Sequence, residues 1–168
     1  MKKIGLLLQI TFLLCACDPN RKKKVDPEIR KYGTTDSSEL FFKNMRQYYY
    51  DLENKGEAGL HLFRLKDRVL AQEHPIINLS IIFNWRNDEA YLYMEPNNFF
   101  SDTTEFTIIW KDVANQKEGA YHFLKGNRDT YFTFAAQVYN SILAEHNLFY
   151  KEDDGLTPLL VSDVERDV

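Results

Sequence analysis

Ile77-Asn78-Leu79-Ser80-Ile81-Ile82-Phe83-Asn84-Trp85 is the stretch whose pattern sets the fold class. Ile77, Leu79, Ile81, Phe83 and Trp85 alternate with Asn78, Ser80, Ile82 and Asn84. A period of two puts the first set on one face of a strand and the second on the other. Arg86-Asn87-Asp88-Glu89 is too polar to continue the run and reads as a turn. Ala90 to Glu95 resumes the rhythm with Tyr91 and Tyr93 on one face, so the pair predicts a β-hairpin. Pro96-Asn97-Asn98 stops it.

Working outward toward the C-terminus, Glu105 to Lys111 predicts a third strand with Phe106, Ile108 and Trp110 facing inward. Ala120 to Lys125 predicts a fourth beyond the polar loop Asp112 to Gly119, and Gly126-Asn127 ends the strand section. From Asp129 to about His146 the period changes. Tyr131, Phe134, Ala135, Val138, Ile142 and Leu143 share one stripe, with Thr133, Gln137, Asn140, Ser141 and Ala144 opposite, as in an amphipathic helix packed on a sheet. Leu148 to Lys151 returns as a strand, Asp153-Asp154-Gly155 is a turn, and Pro158 confines the last segment to an edge or a loop.

Toward the N-terminus, Asp36 to Arg68 has two readings. Phe41, Met45, Tyr48 and Leu52 fit a helix, with Asp36 and Glu39 placed like a capping box. Tyr48-Tyr49-Tyr50 favours a strand instead. Gly56 and Gly59, followed by Leu60 to Leu65, mark a hairpin. The expectation is two strands preceded by a short helical turn, with a helix across 37–53 as the alternative. Taken together, residues 32–168 predict a single α+β domain. It is mostly antiparallel β-sheet, about five to seven strands, with one long C-terminal amphipathic helix packed on it. Roughly 135 residues suit one domain with one core.

The N-terminus obeys different rules. Lys2 and Lys3 precede an apolar run from Ile4 to Leu14, which is shorter than the roughly 20 residues a membrane-spanning helix needs,. Leu14-Cys15-Ala16-Cys17 comes next. This resembles the signal peptide of bacterial lipoproteins, in which a short box ends on the cysteine that becomes acylated. Cys17 suits that role better than Cys15, because Ala16 before it is small and Leu14 stands three residues before it, whereas Cys15 comes directly after a bulky leucine. The resemblance implies a signal peptide over 1–16, a lipid on Cys17 and attachment to the inner or outer membrane of a cell envelope, with the domain in the periplasm. Several acyl chains, at about 0.8 kcal/mol per buried methylene, make such an anchor stable. With both cysteines in or beside the leader, the domain has none for disulfides or thiolate metal sites,.

From Asp18 to Lys31 the chain is polar, with six basic and three acidic residues, and reads as a basic tether over 17–31 that has little to bury,. Tyr32 to Val168 carries 13 basic against 22 acidic residues. The tether therefore suits anionic headgroups or plain solvent, while the acidic domain lacks the basic footprint that nucleic acid requires.

Signs of chemistry are sparse. There is no Gly-x-Ser-x-Gly elbow, glycine-rich phosphate loop or dinucleotide fingerprint, so no cofactor is implied. His61, His74, His122 and His146 form no metal-binding pair. His61 and His122 fall within strands among apolar neighbours, as structural histidines do, and Glu152-Asp153-Asp154 lacks the oxygen spacing of a calcium loop,. No metal site is expected. One constellation remains as a candidate binding patch: Arg46, Tyr48, Tyr50, Arg64, Asn84 and Arg86, residue types favoured at interfaces if they share an outer sheet face. The alternative is that the tyrosines cover the core edge and the arginines snorkel over it. Two short acceptor motifs are also present. Asn78-Leu79-Ser80 matches the N-glycan sequon but falls inside a strand. Asp102-Thr103-Thr104 resembles the acceptor of Bacteroidota-type periplasmic O-glycosylation.

The resulting expectation is a membrane-anchored envelope lipoprotein whose domain binds an envelope protein or polymer without catalysing a reaction. The alternatives are an enzyme acting on an envelope polymer and an immunity-type inhibitor lipoprotein. The oligomeric state is left open.

Overall fold

The computed structural model describes residues 23–162 together with Glu165 and Arg166, so the leader and Cys17 lie outside the described residues. The first helix among the described residues, α1 (Asp36–Met45), starts from a reciprocal cap. Thr35 Oγ1 accepts the Ser38 N–H at 3.2 Å, and Ser38 Oγ accepts the Thr35 N–H at 2.9 Å,. The cap falls one residue ahead of the Asp36/Glu39 pairing read from sequence, because Asp36 is already inside the helix. A 3-10 turn at Gln47–Tyr49 then keeps Tyr48 and Tyr49 out of the sheet, and β1 (Tyr50–Lys55) begins at the third tyrosine. A second 3-10 turn, Gly56–Ala58, leads to β2 (Leu60–Leu65). Gly59 ends that turn at φ 73°, where the Arg86 side chain lies within 2.6 Å of any Cβ that would be added,.

Next come β3 (Ile77–Asn84) and β4 (Glu89–Pro96), the hairpin that the alternation predicted. After them come β5 (Glu105–Asp112), β6 (Lys117–Leu124), the helix α2 (Arg128–Leu143), β7 (Asn147–Lys151) and β8 (Leu156–Leu159). The α+β class and the antiparallel pairing are present. The strands divide into two four-stranded sheets, ordered β1-β2-β3-β4 and β6-β5-β7-β8, in place of one sheet of five to seven, and α1 is a second helix. The division has a local cause. At the end of β4 the Asn97 side chain donates to Ala71 O and His74 O, and it accepts from Ile76 N. That turns the chain out of the first sheet. Phe100 then sinks between Phe106 and Tyr150, at ring distances of 4.7 and 4.6 Å, in the core of the second.

The main core lies between α2 and the inner face of the second sheet. Phe106, Ile108, Phe123, Leu148, Tyr150 and Leu159 meet Tyr131 and Phe134, and Met94 reaches in from β4. Ile108 is fully buried and Phe123 nearly so, worth on the order of 1.5–3 kcal/mol each,. Trp110 faces inward as expected and lies flat across Gly119, where an added Cβ would come within 2.7 Å of the indole. Ser141 departs from the amphipathic pattern. It is 1% exposed, not outward-facing, because Tyr121 of β6 reaches over α2 and their hydroxyls meet at 2.8 Å.

The segment read as tether is ordered from Val25 onward. The Asn140 side chain donates to Val25 O at 2.7 Å and accepts from Val25 N at 2.9 Å. Further along α2, Thr133 bonds Pro27 O and Arg30, and the Tyr32 hydroxyl donates to Asp129 at 2.7 Å. Burial, together with that bond, pushes the Tyr32 phenol up to about 12. Residues 25–32 therefore run as a strap along α2. They then join β4, where Ala90 N donates to Tyr32 O and Thr34 N to Asp88 O. Composition alone missed this because backbone groups and polar side chains on α2 hold the strap, with little apolar burial.

Candidate functional site

The register of the first sheet sorts its side chains onto two faces. Leu52 pairs with Phe63 and Phe63 with Ile81, while His61 pairs with Phe83 and Phe83 with Ala90. All six share one face. The helix α1 lies over this face and touches it through Phe42, whose ring stands 5.0 Å from Phe63 and 5.5 Å from Tyr50. No residue of α1 is buried. Because one aromatic props the helix up, a groove of about 340 Å³ remains between helix and sheet. Leu52, His61, Phe63, Ile81, Phe83 and Ala90 form its floor. Thr34, Ser38, Glu39, Phe42, Lys43 and Gln47 form its wall and rim. Polar groups stand at the mouth, with Lys43 paired to Glu39 at 3.5 Å, and the floor is apolar apart from His61. His61 sits edge-on to Phe63 at 6.2 Å, as an aromatic filler.

Beside the groove, Leu40, Phe41, Met45, Tyr48 and Tyr49 are each more than half exposed within ten residues of chain. Exposed Leu52 continues this surface onto β1. The sequence places Phe41 and Met45 on a helix only in the alternative reading of 37–53, and on no binding surface. The signal that could have found it is the excess of apolar residues in 40–49 over what one contact stripe needs.

The six residues of the candidate patch fall in several places. Arg64 and Asn84 share the opposite face of the first sheet. There Arg64 Nε bonds both oxygens of Glu95 at 2.9 and 2.8 Å, and its Nη1 bonds Glu53 at 2.6 Å. Ser80, 1% exposed beneath them, donates to Glu95. Bonds from Lys55 and Arg64 hold Glu53 down to about 2. Burial pushes the Glu95 carboxyl up, but the bonds from Arg64 and Ser80 outweigh it and leave it below its ordinary range. Tyr50 faces the other way and packs on Phe42. Arg46 caps the C-terminal end of α1, and Tyr48 lies under Lys66 with its ammonium 4.8 Å from the ring centre. Arg86 reaches across the hairpin turns to Glu57 O at 3.1 Å. The structure therefore joins Arg64 and Asn84 on one face and leaves the other four elsewhere.

One set of side chains resembles a nucleophile with its base. Ser141 Oγ lies 3.2 Å from His146 Nδ1, and His146 Nε2 lies 3.9 Å from Asp112 Oδ2. Ser141 is enclosed, and Trp110 stacks on the imidazole at 4.7 Å, so no substrate atom can approach the hydroxyl. Its geometry is that of a cap on the C-terminal end of α2. Asn115 bonds keep the Asp112 carboxyl below its ordinary range. His122 bonds Thr107 at 2.9 Å on the exposed face of the second sheet, and His74 bonds Glu165 at 3.0 Å. Among the described residues no group of three or more histidines, cysteines or carboxylates could hold a metal ion, and no helix is long and apolar enough to cross a membrane. No family model, curated protein or solved structure matches the chain.

Proposed function

We propose that the chain is a lipid-anchored envelope protein whose domain is a non-enzymatic binding module and whose partner is another protein. The observation that carries the reading is the apolar groove under α1 together with its exposed apolar border. A small molecule would fill the groove and leave Leu40, Phe41, Met45, Tyr48 and Tyr49 in water. A protein surface covers both, and tyrosine, phenylalanine and methionine are the residue types that concentrate at such interfaces. Exposed apolar surface of this kind marks interaction sites in soluble domains. The anchor at Cys17 rests on the leader sequence, and the bilayer is the second partner. An immunity-type inhibitor is the special case in which the covered protein is a toxin.

The test is a photo-crosslinker at Phe41 in the full chain, expressed with its leader. The expected result is one discrete crosslinked species that disappears in Leu52→Asp, which charges the groove floor, and persists in Arg86→Ala on the far turn. A chain that stays monomeric and uncrosslinked, or crosslinks that ignore Leu52→Asp, would overturn the reading.

A further inference from the structure

We infer that Thr103 is a site of O-glycosylation, the acceptor hydroxyl for a sugar transferred in the periplasm. The inference goes beyond partner binding but rests on the same exported reading of Lys2 to Cys17. The motif Asp102-Thr103-Thr104 lies in the exposed loop between β4 and β5, and all three residues are exposed. Asp102 Oδ1 accepts both the Thr104 N–H and the Thr104 hydroxyl at 2.6 Å, which folds the three residues into a tight turn with Thr103 at its tip,. Neighbouring hydroxyls are occupied: Ser101 meets the Tyr150 hydroxyl at 3.1 Å, and Thr104 is held by Asp102. Among the described residues the Thr103 hydroxyl makes no hydrogen bond. Thr103 also borders a cleft of about 270 Å³ lined by Tyr93, Asn98, Lys125 and Tyr131.

Asn78-Leu79-Ser80 matches a different glycan acceptor, but the Asn78 amide donates to Val69 O at 2.8 Å and Ser80 is buried under Glu95, so that match is locked in β3. The acceptor pattern is Asp, then Ser or Thr, then an apolar residue or Thr; Asp36-Ser37-Ser38 and Asp129-Thr130-Tyr131 share the first two but carry serine and the hydroxyl-bearing tyrosine third, and both open helices. Asp102-Thr103-Thr104 alone has the complete pattern and the exposure.

The transfer is redox-neutral. Thr103 Oγ attacks the anomeric carbon of a lipid-diphosphate-linked glycan held by a separate glycosyltransferase. The carbon–oxygen bond to the diphosphate breaks with its electron pair on the leaving diphosphate, and the hydroxyl proton passes to a base of the transferase. The experiment expresses the full chain in a Bacteroidota host and measures the N-terminal peptide and the tryptic peptide Asn87–Lys111 by mass spectrometry. The expected result is a processed, acylated Cys17 and sugar mass increments localised to Thr103. The increments should be lost in Thr103→Val and kept in Thr103→Ser. They should also be lost in Asp102→Asn, which preserves the turn and removes the charge. A processed Cys17 with a bare Asn87–Lys111 peptide, or increments that survive Thr103→Val or Asp102→Asn, would overturn the site while leaving the anchor reading intact. An unprocessed leader would overturn both together.

Discussion

Arg64 ties together the charged groups on the second face of the first sheet. Its guanidinium satisfies Glu95 and Glu53 at once, and the Glu95 side chain is only 27% exposed. Replacing Arg64 with Met keeps the stem but leaves the half-buried Glu95 carboxylate with the Ser80 hydroxyl and without its bonded cation, at a cost on the order of 1–3 kcal/mol at pH 7,. The pH dependence has a definite sign. Both carboxyls are held below their ordinary value of 4.5, so the unfolded chain takes up protons first as pH falls. The stabilisation is complete above that value and is lost on acidification, over a window reaching down to about 2 for Glu53,. Urea midpoints of wild type and Arg64→Met should therefore differ at pH 7 and converge toward pH 3. A gap that does not change with pH would mean that the packing of the stem, not the charge pairing, is what Arg64 supplies.

At the scale of elements, α1 depends on one contact. Phe42→Ala removes the ring that meets Phe63 and Tyr50. Because Phe42 is partly exposed, the global cost should be about 1–2 kcal/mol, below the ~3–5 kcal/mol of a fully buried phenylalanine. Amide exchange should speed up across Asp36–Met45 while β3 and β5 keep their protection, and equal acceleration everywhere would contradict the single-contact picture. The same element shows what sequence could reveal. The β3–β4 hairpin was legible because its alternation and its turn are local. The groove was not, because its wall is Phe42 and its floor is Phe63, Ile81 and Phe83, brought together only by the sheet register. Register also divides the expected arginine–tyrosine patch. Arg64 pairs with Asp51, so Tyr50, one residue earlier, must point to the other face,. Nothing local in Tyr48-Tyr49-Tyr50 specifies that a 3-10 turn ends just before Tyr50.

For the whole molecule, the strap along α2 sets the length of the leash. If the lipid is on Cys17, only eight residue steps separate it from Val25, which is clasped to Asn140, and eight steps span at most about 28 Å,. Without the clasp the next tie is Pro27 O to the Thr133 hydroxyl, and ten steps span up to about 35 Å,. The two Asn140 hydrogen bonds contribute on the order of 1–2 kcal/mol, so the strap opens often enough for the balance to be shifted by one residue. Asn140→Ala should leave the thermal midpoint of the domain nearly unchanged, since Asn140 sits outside the core. Trypsin should then cut faster after Lys24, because the backbone at Val25 is no longer held against α2. On vesicles carrying the acylated protein, energy transfer from a label on the domain to acceptor lipids should fall as the domain moves outward. Restoring a donor–acceptor amide with Asn140→Gln should recover part of both effects. Unchanged cleavage and unchanged transfer in Asn140→Ala would show that the strap is held by Thr133 and Tyr32 alone, and that the length of the leash is set at Pro27 instead.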